Sequence, residues 1–242
     1  MQHNDHLVAL ARDGTAFAEA CDAAGLGAAV DSCPGWSVAD LVWHLTEVHH
    51  FWRTIVDERR STWEGLERPA RPGDNVLMDE YRLGFNDILS VLSAADPEQS
   101  NWTWSSDHTA GFVIRRMAQE TAVHCWDAET AAGRDSAIEA ELASDGIDEF
   151  LAHMLGDVVA DAAPLGGSVH LHCTDVPGEW MVRPTDAGGL NVIREHAKGD
   201  AAMRGAASDL LLVLWRRRDL GVLELLGDTE VAKRFVARTS LD

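Results

Sequence analysis

Apolar side chains recur at intervals of three and four over the first 155 residues, a spacing typical of amphipathic helices. The clearest stripe spans residues 41–55 and follows Ser37, which we predict as a helix N-cap with Asp40 in the first turn. A long polar segment, residues 93–111, interrupts the pattern, and loops of that length are often functional. The spacing predicts helices over about residues 5–30, from 37, from 74, over 112–131 and over 137–155.

The pattern changes after Pro164, where polar and apolar positions begin to alternate. Val169, Leu171 and Cys173 alternate with polar neighbours, which is the period of a strand with one buried face. The same criteria predict strands over 178–185, 189–196 and 222–228 and helices over 207–215 and 230–238. Helices therefore come first and strands mostly later, which favours an α+β fold.

The change in pattern also predicts two domains. We expect a helical bundle over residues 1–160 and a small α+β domain over residues 161–242. A chain of 242 residues is long enough to bury a sizeable core in this arrangement.

Composition excludes several classes of partner. The formal net charge of -20 disfavours nucleic acid and anionic membrane surfaces, both of which attract basic proteins. The sequence shows no apolar run of about 18 residues, so we expect no membrane-spanning helix. It also shows no basic start followed by an apolar run, so we expect no signal peptide. The four scattered cysteines are typical of a reducing compartment, and we predict a soluble cytoplasmic protein.

Two helical segments contain a candidate metal site. His44 lies in the second predicted helix, and Glu120 and His124 lie four residues apart in the fourth, so their side chains share one helix face. Two histidines and one glutamate form a ligand set that leaves positions open for water or substrate. Zinc is the default metal, although nickel, cobalt or iron also bind these donors. The alternatives are a core histidine at His44 and an ordinary exposed pair at Glu120 and His124.

The segments around these residues resemble a known family. PGWSVADLVWHL, which includes His44, and RRMAQETAVHCWDAE, which includes Glu120 and His124, are similar to the mycothiol-dependent maleylpyruvate isomerase family. DLLLVLWRRRDL with VLELLGD also resembles its C-terminal domain. The resemblance implies a DinB-like four-helix bundle that binds zinc through His44, Glu120 and His124, followed by a small α+β domain. The family usually has a Gly-Arg pair where this chain has Arg216 and Arg217, which puts the local turn in doubt.

The resemblance also implies a reaction. A zinc ion would deprotonate mycothiol, and the thiolate would add to the cis double bond of maleylpyruvate. Rotation about the new single bond and loss of the thiol would give fumarylpyruvate. The expected partners are thus a thiol and a small electrophile, for a monomer or small homo-oligomer.

Three other functions stay open at this point. The first is a mycothiol S-transferase that acts on electrophilic metabolites or toxins. The second is a non-catalytic small-molecule binding module on the same scaffold, because a fold does not fix an activity. The third is metal-assisted hydrolysis, for which Glu47 is the only obvious general base.

Two arginines are the candidate catalytic residues. Arg116 matches the family pattern before the metal motif, and Arg217 lies in the densest basic run of the chain. Either guanidinium could hold a carboxylate of the substrate. The alternatives are a pair with surface acids for Arg116 and a cationic helix C-terminus for Arg217. Asp127, one turn after His124, either orients that imidazole or is a surface residue.

The remaining histidines receive less specific interpretations. His49 and His50 point away from His44 around the helix, so we do not expect them to bind the same ion. His170 and His172 share one strand face, which suggests a second metal site. Because no third ligand is evident nearby, we expect them to be exposed strand histidines instead.

Three further residues can be placed by their surroundings. Cys125 is expected to be a small packed residue that points away from the metal motif. Trp102 and Trp104 of the long polar loop are expected near the mouth of a pocket.

Overall fold

The computed structural model describes residues 1–156, 158–159, 162–185, 187–239 and 241. The helices in these residues are α1 His3–Ala24, α2 Val38–Asp57, α3 Asp74–Ala94, α4 Ala110–Ala131, α5 Ala140–His153, α6 Ala207–Leu214 and α7 Thr229–Arg238, with a 3-10 turn Leu220–Val222. The strands are β1 Val169–Cys173, β2 Glu179–Pro184, β3 Leu190–Ile193, β4 Ala201–Gly205 and β5 Glu224–Gly227. The α+β fold predicted from the sequence is confirmed.

The first compact unit, Met1–Ser136, contains α1 to α4. Helix α1 packs against α4, and α2 packs against both α3 and α4. The start of α2 is fixed by a capping box, in which the Asp40 amide donates to Ser37 Oγ at 3.3 Å and the Ser37 amide donates to Asp40 Oδ2 at 2.9 Å. Helix α4 is buried along most of its surface, so its polar side chains need partners inside the protein.

The second compact unit, Ala137–Asp242, contains α5 to α7 and one five-stranded sheet. The strand order is β3-β2-β1-β4-β5, and the β1–β4 pair is parallel whereas the other pairs are antiparallel. Helices α6 and α7 pack against β1 and β4. Strand β4 was not predicted from the sequence, because its AAMRG segment lacks the β-branched and aromatic residues that favour strands.

The division between the units lies before α5, whereas the sequence-based boundary lies after it. Helix α5 belongs to the second unit because it packs against α6, and Ser144 Oγ donates to the Pro177 carbonyl at 3.2 Å. Residues 160 and 161, at which we placed the boundary, lie outside the described residues. None of the helices in the described part of the chain is long and apolar enough to cross a membrane.

Candidate metal centre in the helical unit

Helices α2 and α4 bring the three predicted ligands together. Glu120 Oε1 lies 3.2 Å from His44 Nε2 and 3.3 Å from His124 Nε2. One donor atom from each residue lies within 4.8 Å of the other two, and the imidazole centroids are 4.9 Å apart. We call His44, Glu120 and His124 the helix cluster. The i,i+4 spacing on α4 aligns two of its members, and the packing of α2 on α4 adds the third.

The exposure of the helix cluster contradicts the alternatives considered above. Glu120 and His124 are largely buried, with side chains 19% and 9% exposed, so they are not a solvated surface pair. His44 is 34% exposed and faces a carboxylate rather than a backbone carbonyl. The donor set has the chemistry of a divalent metal site with one open position.

His124 is oriented by a carboxylate. Asp127 is fully buried, and its Oδ2 lies 2.9 Å from His124 Nδ1, so the surface alternative for Asp127 is wrong. Ser32 Oγ donates to Asp127 Oδ1 at 2.6 Å, and Cys33 Sγ lies 3.7 Å from Oδ2. This arrangement leaves His124 Nε2 free to face Glu120 and is the usual support of a metal-binding histidine. No pattern in the sequence indicates that Ser32 and Cys33 would contact Asp127.

Arg116 supports the third member of the cluster. Its side chain is 5% exposed, and Nη2 donates to Glu120 Oε2 at 2.6 Å. Glu120 therefore uses Oε2 for the guanidinium and keeps Oε1 toward the two imidazoles. Charge-assisted bonds of this kind hold a carboxylate in one orientation.

The electrostatics of the helix cluster follow from these contacts. Burial alone raises the pKa of Glu120, but Arg116 and hydrogen bonds from both imidazoles lower it well below its usual value. Burial alone lowers the pKa of His124, but Asp127 and Glu120 raise it to about 9. Glu120 is therefore ionised at neutral pH, and His124 carries a proton that a metal ion must displace.

A cavity of about 260 Å³ opens next to His44. It is lined by His44, Glu47, Val48, His50, Phe51, Trp52, Leu66, Arg68 and Pro69. The lining combines apolar and aromatic groups with a few polar ones, which is typical of small-molecule sites. Trp102 stacks on Trp52 of the cavity lining with ring centroids 6.1 Å apart, and Trp104 packs edge-on against Phe112. The expectation that both tryptophans lie near the mouth of a pocket stays a prediction.

Two neighbouring residues of the metal motifs are structural. His49 is fully buried, its Nε2 lies 3.1 Å from Thr121 Oγ1, and burial lowers its pKa to about 3. Cys125 is buried as predicted, and burial raises the pKa of its thiol. A buried neutral histidine and a protonated thiol both contribute packing rather than reactivity.

The turn after α6 retains its expected geometry despite the missing glycine. Arg216 has a φ of 55°, and the Arg216 and Arg217 amides donate to the Val213 and Leu212 carbonyls at 3.0 and 2.7 Å. This is a Schellman motif with arginine at the left-handed position. The Arg216 guanidinium bonds the carbonyls of Val236, Ala237 and Thr239. Arg217 Nη1 donates to the Trp215 carbonyl at 3.0 Å, and its catalytic role stays a prediction.

The structure corrects the interpretation of His170 and His172. We expected no third ligand, but Glu179 and His196 join them in a second group of metal-ligand type. We call His170, His172, Glu179 and His196 the sheet cluster. Its two later members escaped the sequence analysis because strand pairing brings Glu179 next to β1, and side-chain contacts bring in His196 from the segment after β3.

Together these features define the class of protein. It is a two-unit α+β protein whose helical unit presents two histidines and a glutamate beside a small cavity. Residues 7–129 match the family described as "Mycothiol maleylpyruvate isomerase N-terminal domain", and residues 141–234 match the "MDMPI C-terminal domain". The chain therefore belongs to the mycothiol maleylpyruvate isomerase family.

Solved structures agree with this assignment at the level of fold. The chain is similar to the crystal structure of the mycothiol-dependent maleylpyruvate isomerase, with a TM-score of 0.61 and 8% sequence identity over 93% of each chain. A histidine-to-alanine mutant of that enzyme gives a TM-score of 0.62, also with 8% identity over 93% of each chain. No curated protein gives a significant sequence match.

Proposed function

We propose that this protein is a metal-dependent enzyme that uses mycothiol to isomerise maleylpyruvate or a closely related cis-alkene. The observation that carries the proposal is the convergence of His44 and His124 on Glu120, next to a cavity, in a chain of this family. The structures that resemble it are described as mycothiol-dependent maleylpyruvate isomerases.

The helix cluster would hold a divalent ion, with zinc as the default for two imidazoles and a carboxylate. A bound zinc ion lowers the pKa of a coordinated thiol, so that the thiolate is present at neutral pH. Three protein ligands leave a fourth position for the thiol sulfur. The side of the cluster at His44 faces the cavity, which gives a small electrophile access to that position.

Asp127 and Arg116 are assigned positioning roles. Asp127 accepts a hydrogen bond from His124 Nδ1, which fixes the tautomer that presents Nε2 to the ion. Arg116 holds Glu120 Oε2, so that Oε1 stays directed at the cluster. We predicted that Arg116 could hold a carboxylate of the substrate. Its described hydrogen bond is to Glu120, a proposed metal ligand, so we assign Arg116 a positioning role instead.

The proposed reaction balances without an oxidant or reductant. The thiolate forms a C–S bond with one alkene carbon, and the π electrons move toward the neighbouring carbonyl. Rotation about the resulting single bond is followed by return of those electrons and cleavage of the C–S bond. The trans-alkene and the thiolate are then released, so the thiol is not consumed.

The test is an assay of the zinc-loaded full chain with maleylpyruvate, with and without mycothiol. We expect fumarylpyruvate only when mycothiol is present, and no net loss of thiol. Activity should be lost in His44→Ala but not in the exposed control His3→Ala. A stable thioether with stoichiometric loss of thiol would indicate the S-transferase instead. Binding of both compounds without turnover would support the binding module and contradict the proposed enzyme.

A further inference from the structure

The sheet cluster lies on the face of the sheet opposite Trp180 and its contact with α5. Strand β1 directs Leu171 to the same face as its cross-strand partner Trp180, whose indole bonds Asp148 of α5. His170 and His172 alternate with Leu171 and therefore lie on the other face. This face contains none of the helix-cluster residues, which belong to the other unit.

Strand register explains how three members of the cluster meet. Glu179 of β2 is the direct cross-strand partner of His172, so both side chains point to the same face. His170, two residues earlier on β1, lies on that face as well. The ladder of backbone hydrogen bonds fixes these positions without any ion, so little conformational entropy remains to be lost on binding.

His196 joins the cluster from the segment after β3. This segment connects β3 to β4. Gly199 lets it approach β1 closely, because a Cβ at position 199 would lie 3.0 Å from the His170 amide nitrogen. His196 Nδ1 lies 2.5 Å from Glu179 Oε2, and the His170 and His196 rings are 5.3 Å apart. The histidine is thus tied to the sheet by side-chain contacts rather than by strand pairing.

The three imidazoles point at one carboxylate. His170 Nε2 lies 3.2 Å from Glu179 Oε2, and His172 Nδ1 lies 3.0 Å from Oε1. One donor atom from each of the four residues lies within 4.8 Å of all the others. Ligand atoms in a tetrahedral zinc site are about 3.3 Å apart, given bond lengths of roughly 2.0–2.1 Å. A modest contraction of the side chains would therefore bring all four into a single coordination shell.

The chemistry of the donors selects the ion. Three imidazoles and one carboxylate suit borderline divalent ions such as Zn²⁺, Co²⁺, Ni²⁺ and Cu²⁺, whereas Ca²⁺ and Mg²⁺ prefer oxygen ligands. Four protein ligands fill a tetrahedral shell and leave no position for a substrate, which is typical of structural sites.

We propose that His170, His172, Glu179 and His196 form a second, structural site for a zinc-type divalent ion, which fastens the segment after β3 to strands β1 and β2. His170 is nearly buried whereas the His196 side chain is 77% exposed. His196 is therefore the ligand that binds last, and its segment is the part of the unit that the ion orders. The site shares no residue with the helix cluster, which belongs to the other unit.

The test uses tag-free full chain that carries His44→Ala and His124→Ala, so that only the sheet cluster can bind. After removal of metal, the protein is titrated with Zn²⁺ against a chromophoric chelator and with Co²⁺ by visible absorption. We expect one equivalent in this background and two in the wild type, and an increase of about 5 °C in Tm at a hundredfold excess over Kd. His172→Ala should remove the remaining equivalent.

Two further variants keep the test decisive if His172→Ala fails to fold. His196→Ala changes an exposed side chain and should weaken binding at least tenfold, and Glu179→Gln should do the same. The control Glu195→Gln, which removes the Arg183 ion pair next to His196, should leave binding unchanged. The proposal is overturned if the folded His44→Ala, His124→Ala protein binds no Zn²⁺. It is also overturned if adding His172→Ala, His196→Ala or Glu179→Gln to that protein leaves its affinity for Zn²⁺ unchanged in every case. Failure of the helix cluster would instead appear as one equivalent both in the wild type and in the His44→Ala, His124→Ala background.

Discussion

The helix cluster and the sheet cluster combine the same two residue types in different surroundings. In the helix cluster, buried residues outside the ligand set hold the ligands, as Asp127 holds His124 and Arg116 holds Glu120. In the sheet cluster the ligands hold one another through Glu179. The first arrangement leaves a position open beside a cavity, whereas the second places four donors around one point.

Under the two proposals, the clusters differ in function because of what surrounds the ligands rather than because of the ligands alone. A three-ligand site inside a supported, partly dry environment can bind and activate a further group. A four-ligand site on a sheet face can only join the segments that supply its ligands. The comparison is tested most directly by changing equivalent residues in the two clusters.

The largest effect is expected from the paired substitutions Glu120→Gln and Glu179→Gln. Loss of the Glu120 carboxylate should lower kcat/KM about 10²–10³-fold, because it removes a charged ligand of the activating metal. Loss of the Glu179 carboxylate should leave kcat/KM within about twofold of the wild type. Steady-state assays of both variants, each loaded with zinc, provide the measurement. Equal losses in the two variants would mean that the division into a reactive and a structural site is wrong.

The second effect is a pH dependence of stability in the metal-free protein. The pKa of His124 is raised from 6.5 to about 9, so the folded state binds its proton more tightly than the unfolded state does. The resulting stabilisation is complete below pH 6.5 and is lost as the pH rises through 9. It is on the order of 3 kcal/mol, because one pKa unit corresponds to about 1.36 kcal/mol.

Urea unfolding between pH 6 and 9.5 in the presence of a chelator measures this trend. The wild-type free energy of unfolding should fall over the interval, and His124→Ala should show a flatter profile. Saturation with zinc should reduce the fall, since the ion replaces the proton on His124. An unchanged slope in His124→Ala would show that another group is responsible.

A smaller effect is expected from Asp127→Asn. The substitution keeps the shape of the side chain but removes the charge that orients His124, and it should weaken zinc binding about 10–100-fold. Competition with a chromophoric chelator measures the change in Kd. The matched control is Asp40→Asn, which alters an exposed capping carboxylate on α2 and should leave the Kd unchanged. A similar loss in both variants would point to helix stability rather than to orientation of the imidazole.

The smallest effect concerns Arg216, which lies in the second compact unit and belongs to neither cluster. Its left-handed backbone costs about 1 kcal/mol in a residue with a Cβ, and its guanidinium compensates by bonding carbonyls near the end of α7. Arg216→Ala keeps the cost of the left-handed backbone and loses the hydrogen bonds of the guanidinium. Arg216→Gly loses the same hydrogen bonds but also removes the backbone cost. In thermal unfolding, the Arg216→Ala variant should therefore have a free energy of unfolding about 1 kcal/mol lower than that of Arg216→Gly. The reverse order would contradict the backbone argument.

The elements most accessible from the sequence were those with strong local signals. The start of α2 followed from Ser37 and Asp40, because a capping box depends only on residues three positions apart. The i,i+4 pair Glu120 and His124 followed from helix geometry in the same way. Strand β4 was missed because it becomes a strand only between β1 and β5, which supply its backbone partners.

The sequence alone thus determined the α+β class, most of the helices and a candidate ligand set, since these depend on short-range periodicity and on a resemblance of motifs. Only the tertiary structure decided that Asp127 is buried against His124 and that His196 meets His170 and Glu179. The His196 contacts join residues from separate segments and depend on strand register and on the close approach of a segment at Gly199. Asp127 lies on the same helix as His124, but its burial and its contact with Ser32 depend on what packs around α4. Local patterns contain no information about such distances, because they are set by how the elements pack.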